Sequence, residues 1–349
     1  MRAFHWLAGG LLIAAAFATG TVAAHAEDMT DAYKGKQIKF IISSAVGGGY
    51  DAYSRTVARY WTKHIPGQPA IIPQNMPGAG GVKAGNYLWE AASKDGLTVG
   101  NLQNTVPFEP LLGNKLALFD TNKFNWLGSP SKEVALLTVW HTVPVNTIED
   151  AKKHELIMGA SGVNSTPAFY ARILQAVFDI KIKLIVGYPG QTEALLGTEK
   201  GENEGYPSAF WSSLKVVKPD WIRDKLIKFP VQYALEPHPD LKDVPFALDI
   251  IKKADDKQLM EVASAQLTLG RPILAPPGVA TDRVAMLRQS LVETFKDPEY
   301  LADCEKQRLE CDAPVTGTQM QDILKKAYAT PEPVLVRLRK IYDEGGGSN

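Results

Sequence analysis

The stretch Ile38-Lys39-Phe40-Ile41-Ile42-Ser43-Ser44-Ala45-Val46-Gly47-Gly48-Gly49-Tyr50-Asp51 decides the fold. Ile38 to Ile42 is a short β-type run, and a turn with three consecutive glycines follows it closely. Tyr53, Val57, Tyr60 and Trp61 then recur at i, i+4, i+7 and i+8, which marks one face of a helix. Strand, glycine turn and helix N-terminus in that order make one half of a βαβ unit.

The same grammar continues. Ala70–Ile72 reads as a strand, Pro77-Gly78-Ala79-Gly80-Gly81 as a second glycine turn, and a helix runs through Tyr87 to Ala92. Thr98–Leu102 reads as a third strand. After a strand at Ala135–Trp140 the pattern restarts: strand Leu156–Ala160, turn Ser161–Pro167, and a helix from about Ala168 to Phe178. The strand Lys183–Val186 then ends in Gly187-Tyr188-Pro189-Gly190-Gln191. This predicts an α/β chain of two lobes, each with a mainly parallel sheet. The expected division is 27–135 plus 272–349 for the first lobe and 136–271 for the second, with a ligand cleft between them. Helices are expected at Arg283–Phe295 and Met320–Tyr328, and a frayed tail at Gly345–Asn349.

At the N-terminus, Arg2, an apolar stretch from Leu7 to Gly20 and Ala24-His25-Ala26 read as a secretory leader cleaved after Ala26. The apolar stretch is about 14 residues, short of the roughly 18–20 that span a bilayer. The expected product is an exported periplasmic chain, 323 of the 349 residues, with near-balanced charge. Balanced charge argues against a dedicated nucleic-acid surface. Cys304 and Cys311 are the only cysteines. On one continuous helix their Cα atoms would lie about 10 Å apart, too far for a disulfide. A helix end near Gln307–Leu309 would bring them closer, and both possibilities stay open.

The chemistry points to binding. The first amides of a helix have no internal partner and carry the positive end of its dipole, so the Gly47-Gly48-Gly49-Tyr50 turn is a ready anion seat. Asp51 reads as a first-turn residue of the same site, not an acid catalyst. Gly47-x-Gly49-x-x-Ala52 also satisfies a dinucleotide fingerprint, but Pro73-Gln74-Asn75 stands where its acidic residue is needed. Ser161, Asn164, Ser165 and Thr166 offer hydroxyl and amide donors before a helix. Tyr188 and Gly190 end the neighbouring strand, and Trp211 is a candidate for an apolar wall. His64, His141, His154 and His238 form no metal-ligand or nucleophile-base pattern. No catalytic residue, metal or cofactor is expected.

Taken in order, these turns resemble the periplasmic receptors of tripartite tricarboxylate transporters, the TctC or Bug family. The resemblance runs from about Lys36 to Ala329. It is most specific in Gly47–Asp51, Gln74–Gly81 and Lys94-Asp95-Gly96, with further matches at Gly159–Thr166, Val186–Gly190 and Leu274–Gly278. It implies a Venus-flytrap fold in which Gly48, Gly49 and Tyr50 meet a ligand carboxylate from one lobe. Ser161, Asn164, Ser165, Thr166 and Tyr188 would meet it from the other. It also implies a monomeric receptor for a di- or tricarboxylate, aliphatic or aromatic, and a permease of one large and one small membrane subunit. The alternatives are an exported sensor acting through a signalling partner, or an exported hydrolase or lyase. Gly201–Pro207 and Ala209-Phe210-Trp211 depart from the family pattern and mark a divergent branch.

Overall fold

The computed structural model describes residues 28–163 and 165–343. The leader, its cleavage point, Asn164 and the tail Gly345–Asn349 lie outside the described residues. Two mixed sheets organise the chain. The first contains β1 (Gln37–Ile42), β2 (Ala70–Asn75), β3 (Thr98–Asn101), β4 (Asn125–Ser129), β10 (Ile273–Ala275) and β11 (Val315–Thr316). Their order is β11-β4-β10-β3-β1-β2. β1 pairs parallel with β2 and β3, and β10 inserts antiparallel between β3 and β4.

The second sheet contains β5 (Ala135–Trp140), β6 (Leu156–Ala160), β7 (Ile182–Val186), β8 (Gly205–Phe210) and β9 (Ile227–Tyr233), in the order β7-β6-β8-β5-β9. β6 runs parallel to β7 and β8, while β5 runs antiparallel to both of its neighbours. β8 lies at the sheet centre, although Pro207 argues against a central strand. The register slips between Leu136 and Thr138, so Pro207 and Ser208 sit at a bulge where no ladder amide is required.

The chain leaves the first sheet after Ser129, enters the second at Ala135 and returns at Ile273. The helix Gly49–His64 buries Tyr53, Val57 and Trp61. It packs against β2 and the helix Thr281–Lys296, where the Trp61 indole donates to Ser290 Oγ at 2.8 Å. The helix Thr166–Phe178 packs on β8 and on the helix Ala254–Thr268. The helix Glu332–Asp343 also lies against those two helices, so this segment returns to the second sheet's side. No helix among the described residues is long and apolar enough to cross a membrane.

The helix Pro298–Lys306 ends before Cys311, and Arg308 takes a left-handed conformation (φ 59°). That reversal brings the Cys304 and Cys311 Cα atoms to 6.3 Å, and the two residues are disulfide-bonded.

Candidate functional site

A cavity of about 680 Å³ opens where the carboxyl ends of strands from both sheets face each other. Open α/β sheets place ligands there, because helix N-termini and turns converge at strand ends. Gly47, Gly48, Gly49 and Tyr50 line one wall; Ser161, Ser165, Thr166 and Gly190 line the other.

The glycine turn is held from behind. Gly47 takes φ +86°, a conformation open to glycine at little cost. Its N–H donates to Asp51 Oδ2 at 3.0 Å. The other oxygen, Oδ1, accepts from Arg55 Nε at 2.8 Å and from Asn75 Nδ2 at 2.9 Å, and Asn75 also donates to the Ser44 carbonyl. Burial alone would raise the Asp51 carboxyl. The bonds from Gly47, Asn75 and Arg55 outweigh it and hold the group below its ordinary value. Asp51 thus fixes the turn and is absent from the cavity wall. The first helical bond of Gly49–His64 runs from Ala52 N–H to the Gly48 carbonyl, so the amides of Gly49, Tyr50 and Asp51 precede it.

Two other expected residues also stand behind the wall. The Tyr188 hydroxyl donates to Glu202 and accepts from Asn203, both at 3.1 Å, and its ring packs over Gly159 and Gly197. Trp211 is buried, packs against Phe229 and His238, and donates to Asp240 at 3.3 Å. Ser165 Oγ is engaged locally, donating to the Gly162 carbonyl at 2.6 Å.

Sequence reasoning missed the residue with the most chemistry. Arg271 lines the cavity, is 2% exposed, and its Nη2 lies 2.9 Å from Glu133 Oε1. The guanidinium stacks near Tyr50, Tyr53 and Phe210, with its carbon 4.5, 5.0 and 5.7 Å from their ring centroids. Burial works against the arginine's charge, and the attraction of Glu133 together with that of Tyr50 and Tyr53 outweighs it. Glu133 in turn accepts from Ser212 Oγ at 2.6 Å. The signal for Arg271 was a lone cation in the apolar run Leu267–Ala275, flanked by Gly270 and Pro272. Glu133, in Ser131-Lys132-Glu133, carried no such mark.

A separate cluster, His238, Asp240 and Glu310, has ligand atoms within 4.8 Å of one another. Lys215 sits among them, 3.3 Å from Asp240 and paired with Glu310. The lysine supplies the positive charge that a metal ion would bring, so the cluster reads as an ion-pair network.

No family model matches the chain. A TctC solute-binding protein from Polaromonas superposes with a TM-score of 0.65 at 19% identity, over 86% of this chain and 98% of that one. The fold is that of the TctC and Bug binding proteins. BugD, a periplasmic binding protein, aligns equally well (TM-score 0.65, 17% identity, 90% of this chain and 99% of that one). So does MatC from Rhodopseudomonas palustris with bound malate (0.65, 17%, 88% and 99%). A UPF0065 protein from the gbd 5' region of Cupriavidus necator is 31% identical over 126 residues, 36% of this chain. That match spans about a third of the relative's length (35%). The cavity described above is lined from both sheets of this fold.

Proposed function

We propose that the chain is an exported, non-enzymatic receptor that captures a small organic carboxylate and delivers it to a membrane permease of one large and one small subunit. One observation carries the reading: the N-terminus of the helix Gly49–His64 opens into a cleft whose opposite wall presents Ser161 and Thr166. Unpartnered amides at the positive end of a 16-residue helix favour a carboxylate without a dedicated cation. The malate held by MatC, a protein of the same fold, supports the ligand class.

The lobes are 27–135 with 272–349 and 136–271, with the helix Glu332–Asp343 crossing to pack on the second lobe; the working form is a monomer in the periplasm, and the leader ends at Ala26. The ligand settles on the first lobe's glycine turn, and closure adds Ser161, Asn164, Ser165 and Thr166 while excluding water, which strengthens each hydrogen bond.

Thermal-shift screening of residues 27–349 against mono-, di- and tricarboxylates, aliphatic and aromatic, tests this reading. A ligand at 100 times its dissociation constant stabilises by about 2.7 kcal/mol. No shift with any carboxylate would remove the receptor reading, and conversion of a bound compound by the purified protein would replace it with catalysis.

A further inference from the structure

Beside the glycine turn the cavity carries further polar groups that the backbone amides of the seat leave unengaged. Gln266 is 1% exposed and lines the cavity, and neither its Nε2 nor its Oε1 has a hydrogen-bond partner in the protein. Asn104 is equally buried. Its backbone N–H and Oδ1 bond the Tyr50 hydroxyl at 2.9 and 3.1 Å, which leaves Nδ2 without a partner. Arg271 Nη2 contacts Glu133 off the line of its N–H bonds, so neither Nη2 nor Nε makes a directed hydrogen bond. Leaving one such buried group unpaired costs roughly 1–3 kcal/mol, so several at one wall mark a surface shaped for a partner.

Charge decides what that partner is. Among the described cavity-lining residues Arg271 is the one cation, and Glu133 neutralises it. Glu109 adds a buried carboxyl, accepting from Asn114 Nδ2 and the Tyr342 hydroxyl at 2.7 Å each. A second ligand carboxylate would meet the buried Glu109 and the paired Glu133, with the exposed Glu193 also on the cavity and no free cation, at a large desolvation cost. An uncharged carbonyl accepts from the Arg271 and Asn104 donors at no such cost. A carboxamide also donates to Gln266 Oε1 while its oxygen takes an N–H.

Resting on the receptor reading above, we propose that Asn104, Gln266 and Arg271 form a neutral subsite beside the glycine turn, and that the solute carries one carboxylate and a carboxamide-type group in place of a second carboxylate. Calorimetric titration of residues 27–349 with α,ω-dicarboxylates of four to eight carbons, each beside its monoamide, tests it. The benzene-1,4-dicarboxylate pair is included. The expected result is at least one monoamide that binds about tenfold or more tightly than its parent diacid. Gln266→Leu, checked for an unchanged melting transition, should reduce that preference to near unity. Diacids that bind as well as or better than their monoamides overturn the subsite and leave the receptor reading standing. A preference that survives Gln266→Leu overturns the assignment to Gln266. Failure of every carboxylate overturns both.

Discussion

Arg271 and Glu133 meet at 2.9 Å, fully buried, and they belong to the two segments that carry the chain between its sheets. Glu133 lies between β4 and β5, and Arg271 lies just before β10. The Arg271 N–H also bonds Ser129 Oγ at 2.8 Å, which stitches the two crossings together at the backbone. The ion pair therefore lies where the two crossings meet, with Arg271 on the cavity wall and Glu133 behind it.

Removing one member of the pair strands the other charge in the interior, which costs roughly 3–5 kcal/mol. Glu133→Gln should therefore lower the urea midpoint strongly. The double variant Glu133→Leu with Arg271→Met should recover most of the loss, because well-packed apolar replacements of a buried pair are close to neutral. A Glu133→Gln cost under about 1 kcal/mol would show that the site is wetter than its burial indicates.

Asp51 should give the glycine turn a defined acid limit. Its carboxyl is held below the ordinary value: burial opposes ionisation, and the Gly47, Asn75 and Arg55 bonds outweigh burial. A depressed acid stabilises the fold fully above its unfolded pKa, about 3.9, and that contribution fades as pH falls through the folded value. Asp51→Asn should therefore be less stable than the parent at pH 7, with the difference shrinking below about pH 4. Denaturation at both pH values measures it, and a difference independent of pH would assign the effect to packing alone.

The first half of the chain was the more legible. Its strand–glycine–helix units are local and strongly periodic, and both elements flanking the glycine turn fall where the pattern puts them. The strands β8 and β9 were hidden because Pro207 and Pro230 interrupt them, and the bulges that accommodate proline depend on partner strands distant in sequence. Within the candidate site, the glycine turn that we propose as the anion seat is one contiguous segment, so its place on the cavity wall could be read directly. The Arg271, Glu133, Asn104 and Gln266 floor joins segments up to 167 residues apart, as Asn104 and Arg271 are. Only the isolated cation in an apolar run announced any part of it.

Gly49 separates binding from folding. Its backbone is compatible with alanine, yet a Cβ there would lie 3.3 Å from Arg271 Nη2 and 3.6 Å from Ser213 Oγ. Arg271 is pinned by Glu133 and three rings and has little room to yield. Gly49→Ala should leave stability within about 1 kcal/mol of the parent. Affinity for the best carboxylate of the screen should fall by about tenfold, since the added methyl presses on the groups that meet across the cleft. Unchanged affinity would move the anion seat away from this turn.

Glu310 follows the disulfide-closing turn on the first sheet's side, where its N–H donates to the Tyr53 hydroxyl at 2.8 Å and its carbonyl accepts from that hydroxyl at 3.1 Å. Its carboxylate pairs with Lys215 and stands 3.6 Å from His238 Nε2, both on the second sheet's side. The contact spans the two halves, so in the proposed receptor it would latch the closed form. Half-buried pairs of this kind contribute about 1 kcal/mol, or roughly a fivefold change in an equilibrium. Glu310→Gln should therefore raise the ligand's dissociation rate by about fivefold with little change in association. Because the Cys304–Cys311 bond fixes the turn that presents Glu310, replacing both cysteines by serine should act in the same direction. The two changes should not add, since both release one contact. Stopped-flow dissociation of the parent, each variant and their combination decides it: fully additive effects would mean that the disulfide stabilises the fold without serving the latch.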